Sequence, residues 1–396
     1  MRTIGVVTVA RSDYGIYLPV LRKIQADTEL GLRLMVSGQH LTPEFGLTVK
    51  AIEAHGFEIA ERVEMLLASD TPEAVVKSIG LGVMGFAQIY ARSRPDILLV
   101  LGDRFEMYAA ALAALPFKIP VAHIHGGELT EGAIDDALRH SMTKLSHLHF
   151  VATDEYARRV RQMGEEPWRV TVSGAPSLDN LRSVKLLSVA ELEAKYELRL
   201  NAPPLLVTFH PVTLEYERTE QQIEQLLAAL SDTAMPVLFT QPNADTGGRL
   251  ITSAISDYVK THDSAQMVDN FGTQAYFSVM AIAAAMVGNS SSGIIEAASF
   301  KLPVVNIGTR QKGRERGANV IDVGYGREEI LEAIKRACSD EFSSGLSQMT
   351  NPYGDGAAAE RIVRRLKEVA LTEHLLVKQF YDVQGTRALT DSAVVI

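Results

Sequence analysis

Short apolar runs rich in β-branched residues recur along the chain, each followed by a loop and a segment of helical periodicity. In the first half this pattern predicts strands at Ile4–Val9, Leu32–Ser37, Ile97–Leu101, Pro120–Ile124, Leu148–Ala152 and Val170–Ser173. In the second half it predicts Leu205–Phe209, Val237–Thr240, Gln266–Val268, Ala283–Val287 and Val304–Ile307. Such strands, near-continuously apolar and separated by helices, are the mark of parallel sheets covered on both faces. Two successive sets predict an α/β protein of two Rossmann-like, doubly wound domains facing a cleft. The polar helical stretch ending at Asn201-Ala202-Pro203-Pro204 puts the boundary between them near residues 180 to 200. The expected division is 1–185 for the first domain and 186–369 for the second. An amphipathic helix is expected in Asp355–Val369, and residues 370–396 are expected to return to the first domain.

Length agrees with two domains: 396 residues exceed a usual single domain. Apolar residues make up 46% of the chain, yet no run approaches the ~20 residues of a membrane span, so no membrane association is expected. The N-terminal MRTIGVVTVARSDYG reads as a first strand rather than a signal peptide. A single cysteine, Cys338, excludes an internal disulfide framework and points to the reducing cytoplasm. With 39 basic against 48 acidic residues, the net charge of −9 argues against a nucleic-acid partner. An anionic small ligand would need a locally positive site of arginines and helix N-termini.

The chemistry concentrates in PVAHIHGGELTEGAIDDALRHSMTKLSHLHF, residues 120–150. Carboxylates and imidazoles crowded at a strand's C-terminal end are costly to bury, and in an α/β sheet that end is where ligands sit. His123 and His125 alternate along a strand and so are expected on one face; Gly126-Gly127 lets backbone approach a ligand. Asp135 and Arg139, four apart on the next helix, fit either a plain salt bridge or a catalytic pair. Glu128 beside them favours carboxylates of unlike pKa, one a base and one an acid. Zinc on His123, His125 and a carboxylate is a rival, but no HExxH-type spacing supports it. No metal or cofactor is expected. After the strand Ile97–Leu101, Asp103 is either an N-cap for a helix from Glu106 to Leu115 or a proton carrier, and Arg104 suits a phosphate.

In the second half, Val287 to Ala298 reads strand, serine-rich turn, helix start. Ser290, Ser291, Ser292 and Gly293 supply hydroxyls and backbone N–H groups suited to a diphosphate, with Glu296 placed for a ribose. An ordinary serine N-cap is the plainer alternative. The motif is neither GxGxxG nor a Walker loop, which weakens NAD and ATP-hydrolysis readings. His210, the stretch Asn243-Ala244-Asp245, and Arg310 with Arg314 and Arg316 follow other strands of the same half and suggest the nucleotide side of the cleft. Arg11-Ser12-Asp13-Tyr14-Gly15 would form the opposing wall. Trp168 and the clusters ARRVRQ and RIVRRLK read as packing and solvated helix faces.

With RSDYG, SGQHLTPEFG, LGDRFE, HIHGGELTEGAIDDALRH, KLSHLHFVAT, HPVT, PNADTGG, GNSSSG, PVVNIGTRQKGRERGAN and YGDG in order, the chain resembles the hydrolysing UDP-N-acetylglucosamine 2-epimerases of sialic acid synthesis and related bacterial enzymes of the legionaminic acid route. The resemblance implies a GT-B fold with a UDP-sugar in the cleft. It implies loss of the carbon-2 proton with expulsion of UDP, giving a 2-acetamidoglucal, then hydration with inversion to free N-acetylmannosamine. It maps Asp103 and Asp135 onto two catalytic carboxylates, Arg139 onto an arginine one turn on, and His210 onto a histidine near the diphosphate. Arg11, Arg104, Asn243, Ser290, Ser291, Glu296 and Arg310 map onto UDP contacts. Two positions depart: His125 stands where animal and meningococcal members have a catalytic glutamate, and Ile16 where they have a lysine. Acid/base work then falls to Glu128 or His125. The same chemistry on a UDP- or GDP-linked diacetamido-trideoxy sugar, a GT-B glycosyltransferase and a non-catalytic nucleotide-sugar sensor are the other readings. A homodimer or homotetramer is expected.

Overall fold

The computed structural model describes residues 1–69, 71–130, 134–242 and 248–383. Its two sheets are entirely parallel. The first contains β1 (Arg2–Thr8), β2 (Leu30–Ser37), β3 (Ile59–Val63), β4 (Ile97–Leu101), β5 (Val121–Ile124), β6 (Leu148–Val151) and β7 (Val170–Val172) in the order β3-β2-β1-β4-β5-β6-β7. The second contains β8 (Leu205–Thr208), β9 (Val237–Thr240), β10 (Ala265–Val268), β11 (Ala285–Gly288), β12 (Val304–Ile307) and β13 (Val320–Val323) in the order β10-β9-β8-β11-β12-β13. Each order reverses once, between β1 and β4 and between β8 and β11, and a doubly wound sheet opens its ligand crevice at that switch point.

The central strands are apolar on both faces because helices cover both: every residue of β4, β5, β6, β8, β11 and β12 is buried. The two strands with no counterpart in the sequence reading, β3 and β13, are sheet edges. Their half-exposed segments IAERV and VIDV carry charges that interrupt the apolar signal.

Two further expectations are corrected. The helix Ala358–Glu368, expected in the second domain, buries Ala359, Ile362, Val363 and Leu366 in the first core, alongside Val369 and Leu375. Asp179 starts it, accepting the N–H groups of Ala358 and Ala359 at 2.9 and 2.7 Å. The return to the first lobe therefore precedes residue 370, because this helix's apolar stripe fits the groove against the helix Arg11–Ala26. The helix Pro72–Arg92 is also long and apolar enough, by length and composition, to cross a membrane. In the fold it buries Ser78, Gly82, Phe86, Ile89 and Tyr90, and the Tyr90 hydroxyl donates to the Ala110 carbonyl at 3.2 Å.

Candidate active site

Gly102, at φ +74°, turns the chain out of β4. Asp103 is not the N-cap of the next helix, Phe105–Ala114; Arg104 holds that position and makes no side-chain cap. Asp103 instead accepts a close hydrogen bond from the Arg139 guanidinium. Arg104 donates to the fully buried Glu106 at 3.2 and 2.8 Å, an ion pair that fixes its guanidinium beside the turn.

The end of β5 is built differently from the alternation pattern. His123 is fully buried, its Nε2 2.7 Å from the Gly102 carbonyl, and burial pushes its pKa down to about 3. His125 has left the sheet. Its backbone sits at φ +66°, a left-handed conformation costly for a non-glycine residue, and it is held there as its N–H donates to the Phe150 carbonyl at 3.0 Å. Its Nδ1 lies 2.5 Å from Glu128 Oε1. Gly127, at φ +78°, is required because a Cβ there would stand 2.6 Å from the Tyr156 carbonyl oxygen.

Arg139 does not pair with Asp135. It is nearly fully buried and turns to Asp103, to Thr130 Oγ1 at 3.0 Å and to Glu128 Oε2 at 3.5 Å. Helical neighbours were the local expectation, but β4 and β5 lie side by side and bring two better partners to the same guanidinium. Its Nε and Nη1 make no hydrogen bond among the described residues, leaving buried donors at the site. Burial raises the Asp135 pKa, and the Asp103 charge raises it further. Burial would raise Glu128 as well, but His125, Arg314 and Arg139 pull it down to about 2. The site thus holds carboxylates shifted in opposite directions.

On the second lobe, reciprocal amide bonds lock the ends of β8 and β11 together: the His210 N–H donates to Asn289 Oδ1 at 2.7 Å and Asn289 Nδ2 to the His210 carbonyl at 2.8 Å. Burial pushes the His210 pKa down to about 3, with Arg310 adding to the effect. Arg310 and Gln311 donate to the Asn289 carbonyl at 3.1 and 2.9 Å. Ser290 does cap the short helix Ser291–Ile295, accepting the Ser292 N–H at 3.3 Å. Glu296 is buried, which raises its pKa. Asn243 and Asp245 lie outside the described residues.

Between the lobes is a cavity of about 690 Å³. Arg11, Ser12, Gly15, Ile16 and Arg104 line it from the first lobe, and Thr208, Ser290, Ser292 and Glu296 from the second. These residues come from both switch points. Asp13 and Tyr14, expected on the wall, turn inward. Asp13 accepts the N–H groups of Val9, Ala10 and Tyr14 at 2.8 to 2.9 Å, and burial raises its pKa to about 6 despite them. Sequence reasoning missed Tyr276 and Thr273, from the helix Gly272–Ile282, and Ser177 and Asn180 from the crossover between lobes. None carries a local signal. Among the described residues no group of three His, Cys, Asp or Glu is arranged to hold a metal ion. A second cavity of about 780 Å³, lined by Gly174, Arg182, Lys301 and Arg361, holds none of the expected residues.

The family model described as UDP-N-acetylglucosamine 2-epimerase matches residues 22–367. The chain is 40% identical to the GDP/UDP-N,N'-diacetylbacillosamine 2-epimerase (hydrolyzing) of Campylobacter jejuni, covering 96% of this chain and 99% of that one. It is 37% identical to the UDP-N,N'-diacetylbacillosamine 2-epimerase (hydrolyzing) of Legionella pneumophila, over the same shares. Among solved structures, the UDP-GlcNAc 2-epimerase of Neisseria meningitidis bound to UDP-GlcNAc superposes with a TM-score of 0.79 at 19% identity, covering 92% of this chain and 99% of that one. The fold is therefore that of GT-B-like 2-epimerases, and the glycosyltransferase reading gives way. The chain belongs to the UDP-N-acetylglucosamine 2-epimerase family.

Proposed function

We propose that this enzyme is a hydrolysing 2-epimerase that converts a UDP-linked 2-acetamido sugar into UDP and the free sugar inverted at carbon 2. The observation that carries this reading is the opposition of two unlike walls. Asp103, Asp135 and Arg139 gather at the ends of β4 and β5, and the neighbouring Arg104 faces Ser290, Ser292 and Glu296 across one cavity. UDP leaves toward Arg11, Arg104 and the serine turn, which stabilise the departing diphosphate; Ser291, His210 and Arg310 belong to the same binding wall, and Glu296 takes the ribose. As carbon 1 loses UDP it gains positive charge, which acidifies the carbon-2 hydrogen. Removal of that proton gives the 2-acetamidoglycal. Water then adds its hydroxyl to carbon 1, and Asp135, whose pKa is raised by burial and by the Asp103 charge, delivers a proton to carbon 2 from the other face.

UDP-N-acetylglucosamine is the simplest substrate. A second reading, a diacetamido-trideoxy nucleotide sugar, is favoured by the names of the relatives at 40 and 37% identity, against 33% for the UDP-N-acetylglucosamine 2-epimerase of Neisseria meningitidis. Ile16 and Phe45 on the cleft wall suit a deoxy, acetamido-bearing ring. Incubation with each nucleotide sugar in deuterated water separates the readings: free UDP and a carbon-2-deuterated manno-type sugar are expected from one of them. An intact UDP-linked product would overturn hydrolysis.

Ser290→Ala combined with Ser291→Ala is expected to weaken UDP binding about tenfold, as for one or two lost hydrogen bonds. Calorimetric titration with UDP checks this. The reading includes a reducing, cytoplasmic home and a homodimer or homotetramer. The oligomer is supported by the exposed apolar Val76, Leu81 and Met84 on one long helix and is checked by light scattering.

A further inference from the structure

Three observations converge on His125 and are not explained by packing. Its backbone is left-handed although it is not glycine, a strain that persists only where surrounding structure imposes it. Its Nδ1 is committed to Glu128 at 2.5 Å, while no described residue hydrogen-bonds its Nε2. Glu128 in turn draws cations from both lobes: Arg139 Nη1 at 3.5 Å from the first, Arg314 Nη2 at 3.8 Å from the second. Arg314 is no free surface arginine. Tyr156 of the first lobe accepts the Glu315 N–H at 3.0 Å, and Tyr353, 2.9 Å from Tyr156, donates to the Glu315 carbonyl at 2.9 Å. The loop carrying Arg314 is therefore pinned to the first lobe beside Glu128.

Resting on the function proposed above, we propose that His125 is the catalytic base at sugar carbon 2, with Glu128 and Arg314 as its positioning residues. An ionised Glu128 accepts from Nδ1–H, which fixes the tautomer with the lone pair on Nε2 and stabilises the imidazolium once it forms. The step balances without a cofactor. The carbon-2 C–H bond breaks and its proton bonds to Nε2. The electron pair forms the C1=C2 double bond, and the C1–O bond breaks with its pair leaving on UDP. In hydration Asp135 gives its proton to carbon 2, water gives hydroxide to carbon 1, and the remaining water proton restores Asp135. The imidazolium then releases to solvent the one proton that hydrolysis of a UDP-sugar liberates. Arg314 links this chemistry to the nucleotide lobe, since Gln311 and Arg310 of the same loop bind the Asn289 carbonyl beside the serine turn. The charged and titratable groups around the His125–Glu128 pair are His123 on β5, Arg139, Arg314 and the phenols of Tyr156 and Tyr353.

The test uses the full chain with UDP-N-acetylglucosamine and UDP-N,N'-diacetylbacillosamine. Asn tolerates left-handed backbone, so His125→Asn removes the imidazole while sparing the turn. It is expected to lower kcat about 100-fold or more, to slow deuterium entry at carbon 2 in step, and to leave UDP affinity within about threefold. Glu128→Gln is expected to lower kcat about tenfold and to move the acid limb of the kcat profile to lower pH, because removing the carboxylate disfavours the imidazolium. Arg314→Gln leaves that carboxylate less neutralised and is expected to move the limb the other way, by a smaller amount. A purely packing role moves no limb. Wild-type activity matched by His125→Asn, with the same pH profile, overturns the role of His125 alone. A wild type inactive on both sugars overturns the proposed function and this inference with it.

Discussion

Replacing Asp103 or Asp135 by Asn is expected to reduce turnover about 100-fold or more while UDP still binds within about threefold of the wild-type affinity. The substitution keeps size and removes the ability to carry a proton, and positioned acid/base groups contribute on the order of 100- to 10,000-fold. The two losses have different origins. Asp103 anchors the buried Arg139, so its amide also leaves that guanidinium short of an anion at the site. Asp135 is pushed up by burial and by the Asp103 charge, which favours its protonated form. Asn cannot deliver that proton. UDP affinity is expected to survive because, on the function proposed above, the diphosphate rests against Arg11, Arg104 and the serine turn, none of which is altered. Initial rates with either nucleotide sugar, beside a calorimetric UDP titration, decide the matter; undiminished rates in both variants would remove the carboxylates from the mechanism.

The largest stability effect is expected at Arg169, far from the cleft. Its side chain is fully buried, stacks over Trp168 at 4.2 Å and donates to four carbonyls: His147 at 3.2 Å, His374 at 3.0 Å, Leu375 at 2.8 Å and Val377 at 2.9 Å. Three of these belong to the returning C-terminal segment. Arg169→Ala strands them and leaves Glu166 without its 2.8 Å partner, at a cost of about 4 kcal/mol, as for a broken buried network. The consequence reaches the site. Lys378 of that segment pairs with the buried Glu165 at 2.7 Å and donates to the carbonyls of Lys144 and Ser146 at 2.9 and 2.6 Å. Those carbonyls lie at the end of the helix Ile134–Leu145, which carries Asp135 in its first turn and Arg139 at its middle. A lower denaturation midpoint, faster amide exchange at residues 372–381 and reduced turnover are expected together. An unchanged midpoint would show that the segment holds itself in place.

Much of this is legible in the sequence. The two sheets could be read because a parallel strand covered on both faces is apolar throughout, and nearly every central strand announced itself that way. The edges β3 and β13 did not, since Glu61, Arg62 and Asp322 break their runs. The gathering of chemistry at strand ends was also readable, as each polar motif directly follows an apolar run. Trp168 read as packing, and it does pack, stacked on His374 at 4.8 Å. Thr273 and Tyr276 escaped notice because helical periodicity treats a cleft-facing position like any other.

The linear order of residues carries periodicity and adjacency, and these suffice for fold class, for the parallel sheets and for the neighbourhood of the site. They do not say which partner a charged side chain chooses. Arg139 has Asp135 one turn away along its own helix, yet it turns to Asp103 and Glu128, because neighbouring strands deliver both to a buried guanidinium that has lost its water. The home of the helix Ala358–Glu368, the left-handed backbone of His125 and the approach of Arg314 to Glu128 have the same origin. Each is settled by surfaces distant along the chain that meet only after both lobes have packed, where desolvation makes a charged group's choice of partner costly to get wrong.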